Sequence, residues 1–248
     1  MKSPHPEWII PDWPAPPAVR AFITTRAGGV SAGPYASFNL GLRAGDDAGA
    51  VAANREQLRA LLPQAPKWLR QVHGADVVDA DALTDAPEAD AAVARRPGTV
   101  CAVMVADCIP VLLADREGKL VAVAHAGWRG LAAGVIEKTV ARMALDPARL
   151  LAYLGPGIGP RAFEVGADVR DAFLARDAQS GAAFTPHAPG KWLADLFAIA
   201  RRQLAGAGVT SVYGGGLCTY SDAQRFYSYR RERVTGRHAA LIWIQRDD

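Results

Sequence analysis

Cysteine is scarce in this sequence: three residues, at positions 101, 108 and 218. An odd number with no CxxC pair gives no disulfide framework, and a reducing, cytoplasmic setting follows as the expectation. Histidine is nearly as scarce, with five residues and no HxH pair. A strong excess of charge of one sign is missing too. The 28 basic and 25 acidic residues leave a net charge of +3, too even to call for nucleic acid or an acidic membrane surface as partner. No run reaches the roughly 18 apolar residues of a membrane span. The first residues, MKSPHPEWIIPDWPAPPAV, carry five prolines among the first sixteen and lack the apolar stretch of a secretory signal. These absences point to a small-molecule partner rather than nucleic acid or membrane.

What remains is an ordinary globular composition, 50% hydrophobic and 21% charged over 248 residues, long enough for a full core. Residues 1–18 read as an extended, proline-stiffened lead, and residues 19–248 as one domain. Val19 to Thr25 reads as a strand and is followed by a glycine-rich loop that runs on to Phe38, Asn39 and Leu40. A helix is expected over Asp46 to Leu62, capped by Asp46 or Asp47. Lys67 to Val72 and Asp76 to Asp79 read as strand pieces, and residues 80–98 as a surface loop. Leu131 to Leu145 is expected as a helix, Leu150 to Leu154 as a strand, and GPGIGP (155–160) as a rigid turn. Helices are expected at Gly166 to Asp177 and Trp192 to Ala205. Late strands are expected at Thr210 to Tyr213, Phe226 to Tyr229 and His238 to Gln245. Alternating strands and helices give an α/β domain with mixed β-sheet flanked by helices.

One stretch, VCAVMVADCIPVLLADREGKLVAVAHAGWRG (100–130), holds two apolar runs that end in reactive residues. The first delivers Asp107 and Cys108, the second His125. His73 ends another apolar run, KWLRQV, and like His125 is followed by small residues that let a group approach the ring. If these three ends meet, they form a His–Cys–His cluster. Imidazole nitrogen and thiolate sulfur are preferred zinc ligands, and three ligands with an open fourth position is the catalytic arrangement. Alternatively, Cys108 is a nucleophile with a histidine as its base.

The segments QVHG (71–74), ADCIPVLL (106–113) and HAGWRG (125–130) resemble three signatures of the YfiH family, also called laccase-domain or peptidoglycan editing factor proteins. TTRAGGVSAGPYASFNLG (24–41), LGPGIGPRAFEVG (154–166) and CTYSDAQRFYSYRRERVTGRHAALIWI (218–244) are similar to others, in the same order. The resemblance implies a single α/β domain related to cysteine-hydrolase-like folds and a zinc site made by His73, Cys108 and His125. Many relatives carry cysteines just after the GPGIGP-like turn, where this chain has Arg161-Ala162, so no thiol acts there.

The activities that the family implies are phosphorolysis of purine nucleosides or methylthioadenosine, adenosine deamination, polyphenol oxidation, and removal of a wrong amino acid from a cell-wall precursor. A multicopper centre needs on the order of ten histidine and cysteine ligands, more than five scattered histidines can supply. The HxE…PCxxC signature of zinc deaminases is also missing. Phosphorolysis needs a cationic site for phosphate. Arg26, beside a Gly-Gly loop, leads the candidates, with Arg129, Arg230 and Arg231 behind it. Asn39 is placed to bond a base or ribose, or to cap its loop. Phe163, Phe226, Tyr227 and Tyr229 are candidates to stack on a purine, and Asp107 to orient a ligand histidine. The expectation is a zinc-dependent purine nucleoside phosphorylase using adenosine or inosine, with methylthioadenosine as a further substrate and adenosine deamination as a side activity. The alternatives are a zinc or Cys/His hydrolase acting on a UDP-muramoyl peptidoglycan precursor and a non-catalytic zinc-stabilised binding protein.

Overall fold

Thirteen buried residues on two strands explain the centre of the molecule. Ile109–Asp115 and Val121–Ala126 form adjacent strands in which every residue is buried. A strand without polar alternation must be covered on both faces. A computed structural model describes residues 5–246 and shows what covers them. Residues 1–4 of the expected lead, and residues 247 and 248, lie outside the described residues.

The strands in chain order are β1 (Val19–Ile23), β2 (Val77–Asp79), β3 (Ala91–Ala94), β4 (Cys101–Val105), β5 (Ile109–Asp115), β6 (Val121–Ala126), β7 (Leu150–Leu154), β8 (Glu164–Val165), β9 (Phe184–Pro186), β10 (Trp192–Ala194), β11 (Ser211–Gly214) and β12 (His238–Ile244). The helices are α1 (Ala48–Arg59), α2 (Trp128–Ala133), α3 (Val135–Met143), α4 (Ala167–Leu174), α5 (Leu196–Gly206) and the single turn α6 (Tyr229–Glu232). The main sheet runs β11-β7-β5-β6-β3-β2, with its outer pairs parallel and its inner pairs antiparallel. A second, antiparallel sheet runs β1-β12-β4. Three short strands, β8-β10-β9, form a third.

The two larger sheets stack between helices, giving helix, sheet, sheet, helix. Val111, Leu113, Ala122 and Ala124 point from the main sheet to Leu131, Val135, Ile136, Val140, Ile199 and Leu204 of the helices. Leu112, Ala114, Val121 and Val123 point the other way, against Cys101, Val103, Ala240 and Ile242. The period of two then turns Ala239, Leu241 and Trp243 outward, where Leu58 of α1 with Phe38, Leu40 and Trp8 covers them. The mixed, helix-flanked α/β domain expected from the sequence is what the structure shows. Among the described residues, no helix is long and apolar enough to cross a membrane.

The segment from His5 to Ala18 packs against this body. Trp8 is buried between Phe22 and Phe38, and Ile9 forms an antiparallel bridge with Ile23 along the free edge of β1. Asp47 caps α1, its carboxylate accepting from the Ala50 N–H at 2.8 Å.

Several local expectations are corrected. Residues 80–98 are not all surface loop, since β3 lies buried between β6 and β2. Lys67 to Val72 makes only isolated bridges, at Lys67 and Arg70. The expected helix over Leu131 to Leu145 is two, divided at Gly134, whose φ is 85°. Trp192 to Ala194 is strand, because Asp195 caps α5 by accepting from the Ala198 N–H. Phe226 to Tyr229 is not strand: Ser228 accepts from the Arg231 N–H and starts α6. The first apolar run of the 100–130 stretch is likewise two strands, β4 and β5, in different sheets.

Candidate functional site

Cys108 lies on the crossover between β4 and β5, where the chain passes from one sheet to the other. Ile109 pairs with Ala126 and Pro110 with His125, so the register sets Cys108 beside Gly127, the residue that follows β6. Gly127 has no Cβ, and that absence is what makes room: a Cβ there would stand 2.7 Å from Cys108 Sγ and 3.3 Å from His73 Cδ2. His125 is buried near the end of β6, Cys108 is half-buried and His73 is exposed. One ligand atom from each of the three lies within 4.8 Å of the others. The two imidazoles meet edge to face with centroids 4.8 Å apart.

A residue that the sequence reading passed over holds this arrangement. Asp90 is fully buried at the start of β3. Its carboxylate accepts from the backbone N–H of Val72 at 3.2 Å, of His73 at 3.0 Å and of Gly74 at 2.7 Å. It also lies 2.8 Å from His125 Nδ1. Its own carbonyl accepts from the His125 N–H at 2.7 Å. His73 has φ 61°, a left-handed conformation unusual for a residue with a Cβ, and the three N–H bonds to one carboxylate hold it there. An ionised carboxylate only accepts, so His125 carries its proton on Nδ1 and turns Nε2 toward Cys108 and His73. Burial raises the Asp90 carboxyl, but the His125 hydrogen bond, the His125 charge and the backbone N–H groups outweigh it and hold it below its ordinary value.

Asp107, expected to orient a histidine, does something else. Its carboxylate accepts from Thr219 Oγ1 at 2.6 Å and from the Arg230 N–H at 2.7 Å, and its carbonyl accepts from the Ile158 N–H. It ties the crossover to the late segments, and Asp90 takes the orienting role. Asp90 sits at a strand end, as Cys108 and His125 do, but one aspartate in the Asp-rich 76–90 segment carries no mark of its own in the sequence.

Electrostatics couple Cys108 and His125. Burial raises the Cys108 thiol, but the His125 charge and hydrogen bonds from His125 and His73 overcome this and bring it down to about 6. Burial lowers His125, while the Cys108 thiolate and Asp90 raise it to about 9. Two nitrogens and a sulfur at this spacing, with a carboxylate behind one imidazole, are a donor set that can hold a metal ion. Without a metal, the same groups form a thiolate–imidazolium pair with an aspartate behind it.

The expected substrate-binding residues are spread more widely. Arg26 donates to the Ala36 and Ala223 carbonyls at 2.8 and 3.0 Å and meets Glu232 at 3.3 Å. Asn39 is fully buried; its oxygen accepts from the Gly41 and Arg237 N–H groups and its nitrogen donates to Asp46. Both hold the 26–46 loop. Arg129 is exposed at the start of α2, its guanidinium 4.5 Å from the Trp128 ring centroid. Arg230 and Arg231 donate to backbone carbonyls. Phe226 and Tyr227 are core residues, 0% exposed, whereas Tyr229 is 50% exposed. Arg237, which the sequence reading did not single out, precedes β12 and stands next to the crossover.

Residues 20–245 match the family described as multi-copper polyphenol oxidoreductase laccase. The chain is 54% identical over 239 residues to a purine nucleoside phosphorylase of Pseudomonas aeruginosa, covering 96% of this chain and 98% of that protein. It is 53% identical over 242 residues to the purine nucleoside phosphorylase YfiH of Escherichia coli, covering 95% and 98%. A crystal structure of a Neisseria meningitidis protein superposes with a TM-score of 0.94 at 49% identity, covering 97% of this chain and 100% of that one. YlmD from Geobacillus stearothermophilus superposes with a TM-score of 0.91 at 32% identity, covering 99% and 98%.

Proposed function

The chain belongs to the family of the multi-copper polyphenol oxidoreductase laccase model and the YfiH proteins, and from that membership we propose that it is a zinc-dependent purine nucleoside phosphorylase. The observation that carries this reading is the three-donor cluster of His73, Cys108 and His125 with Asp90 behind it. Relatives named as purine nucleoside phosphorylases, at 54% and 53% identity, support the substrate class. The family's copper description does not suit the donor inventory: the described residues hold one such cluster, and the sequence has five histidines and three cysteines, short of the ligands that several coppers need. Nitrogen and thiolate donors in a set of three suit zinc with an open position.

In phosphorolysis an oxygen of phosphate bonds to C1′ of the ribose, the C1′–N9 bond breaks, and its electron pair leaves on the purine. Bound zinc supplies a Lewis acid for a substrate oxygen. The chain's own part is to present Cys108 as thiolate and both imidazoles as neutral donors. Asp90 accepts the Nδ1 proton of His125, keeping Nε2 free for the open side. Arg26 and Asn39 hold the 26–46 loop, and Arg129, exposed at the start of α2, forms no ion pair among the described residues.

Purified, metal-quantified protein should release free purine from inosine or adenosine only when phosphate is present, with methylthioadenosine as a further substrate. Formation of inosine from adenosine in the same assay reads the deaminase side activity. Turnover confined to a UDP-muramoyl amino acid would sink the phosphorylase reading. That second reading, a Cys/His hydrolase, draws support from one observation: Cys108, His125 and Asp90 stand in the order nucleophile, base, orienting carboxylate. It requires amide hydrolysis that survives chelation and disappears in Cys108→Ala.

A further inference from the structure

Several arginines that pack into this protein meet a carboxylate. Arg26 and Arg231 share Glu232, and Arg225 meets Asp222. Five half-buried arginines, Arg55, Arg59, Arg201, Arg230 and Arg237, form no ion pair among the described residues, and of these burial lowers the pKa of Arg55 and Arg237. A guanidinium keeps its charge at any ordinary pH, so leaving it desolvated without a counter-charge is costly.

Arg237 is held in place from several sides. His238 pairs with Val105, which sets Arg237 beside Ala106, two residues before Cys108. Its N–H donates to Asn39 Oδ1 at 2.8 Å, and its carbonyl accepts from the Leu40 N–H at 3.0 Å. Its stem lies on Gly41, where a Cβ would come within 2.8 Å of Arg237 Cγ. One terminal nitrogen, Nη1, donates to the Thr235 and Gly236 carbonyls, both at 2.8 Å. Nε and Nη2 have no hydrogen-bond partner among the described residues. The guanidinium stands 6.0 Å from the centroid of the half-exposed Tyr229 ring.

Arg55, on α1, grips the same loop at Leu40. Its Nε donates to the Leu40 carbonyl at 2.9 Å, and its Nη2 reaches Met104 Sδ of β4 at 3.6 Å. Its guanidinium lies 4.4 Å from the Trp68 ring centroid, and Nη1 is without a partner among the described residues. Burial pushes Arg55 down to about 10 and lowers Arg237 as well, although Cys108 and Asp107 hold Arg237 up. Two clamped guanidinium groups, with unused N–H donors and no ion-paired carboxylate, hold the 39–41 segment, and Arg237 stands next to the crossover that carries Cys108. Paired N–H donors match the oxygens of a phosphoryl group.

We propose that Arg237, backed by Arg55, forms an oxyanion subsite beside the His73–Cys108–His125 cluster that takes a phosphoryl group. The inference rests on the phosphorylase reading, which makes that group inorganic phosphate. The diphosphate of a nucleotide sugar shares the chemistry, and the experiment separates the two.

Steady-state kinetics of inosine cleavage should show the KM for phosphate rising about tenfold or more in Arg237→Gln, the loss of a charge-assisted pair. The KM for inosine should stay within about twofold, and Arg237→Lys, which keeps the charge but not the fork, should recover part of the loss. Arg55→Gln should shift the phosphate KM in the same direction by less. Metal content and circular dichroism report whether each variant is folded. An unchanged phosphate KM in folded Arg237→Gln, in an enzyme that needs phosphate, overturns the subsite and leaves the phosphorylase reading standing. If no turnover needs phosphate, that reading fails instead, and calorimetric titration decides the subsite. Weakened binding of inorganic phosphate or of a UDP-muramoyl amino acid by Arg237→Gln supports it, and unchanged binding of both overturns it.

Discussion

Asp90 joins two segments far apart in the sequence, the 72–74 turn and the end of β6. Asp90→Asn replaces one acceptor oxygen by a donor and removes the charge that fixes the His125 proton. Its metal affinity, read by chelator competition, should fall about 10- to 100-fold, and Asp90→Glu should not restore it, because the longer side chain cannot meet all four N–H groups at once. The Cys108–His125 pair makes a prediction for metal-free protein. The Cys108 acid is depressed to about 6, so its contribution is lost as pH falls through 6; the His125 base is raised to about 9, so its contribution is lost as pH rises through 9. Alkylation of Cys108 should therefore rise with an apparent pKa near 6 rather than near 9, and Asp90→Asn should move it upward by weakening the imidazolium. The meeting of His73, Cys108 and His125 was suggested by three apolar runs that end in reactive residues, with small residues after the two histidines, and by the resemblance of the segments that carry them to the YfiH signatures. Asp90 and Arg237 were not, since their roles come from partners distant in sequence, and the sequence has 25 acidic and 28 basic residues to choose among.

Elements were legible where one signal dominated. β1, β7, β11 and β12 stood out as short runs of branched or aromatic residues, and α1 through its Asp47 cap and Val51/Leu58 spacing. β3 escaped because Ala91-Ala-Val-Ala is a weak strand former by itself. The sheet wants small side chains there, with both faces covered. Trp192 to Ala205 was read as one helix because the apolar residues continue across Asp195, whose capping role ends the strand and begins the helix. α2 supplies the sharpest test at this scale. Its first flanking residue, Gly127, has an ordinary φ of −76°, so Gly127→Ala adds no backbone strain. The added methyl would meet Cys108 Sγ at 2.7 Å. Metal retention after dialysis should drop sharply, while circular dichroism stays that of the parent protein. Retention at the parent's level would mean that Cys108 has room to withdraw and is not fixed by its neighbours.

At the scale of the whole molecule, the α/β class and the mixed sheet were legible from alternating elements, but the stacking of two sheets was not. The chain changes sheet within Ala106-Asp107-Cys108, a step with no length or composition to announce it. That step sets the thiol at the junction between layers, with β4 and β12 on one side and β5 and β6 on the other. The outer boundary of the stack has its own demand. β1 is an edge strand of the β1-β12-β4 sheet, and the segment around Trp8 and Ile9 lies along it, with prolines at 11, 14, 16 and 17 following. An unpaired strand edge is a template for another chain, and prolines and covering segments blunt it. Residues 5–18 therefore guard colloidal behaviour as well as filling the core. Nicking them away by limited proteolysis should leave the cluster's ligands untouched, yet make light scattering grow with protein concentration as bared β1 edges find one another.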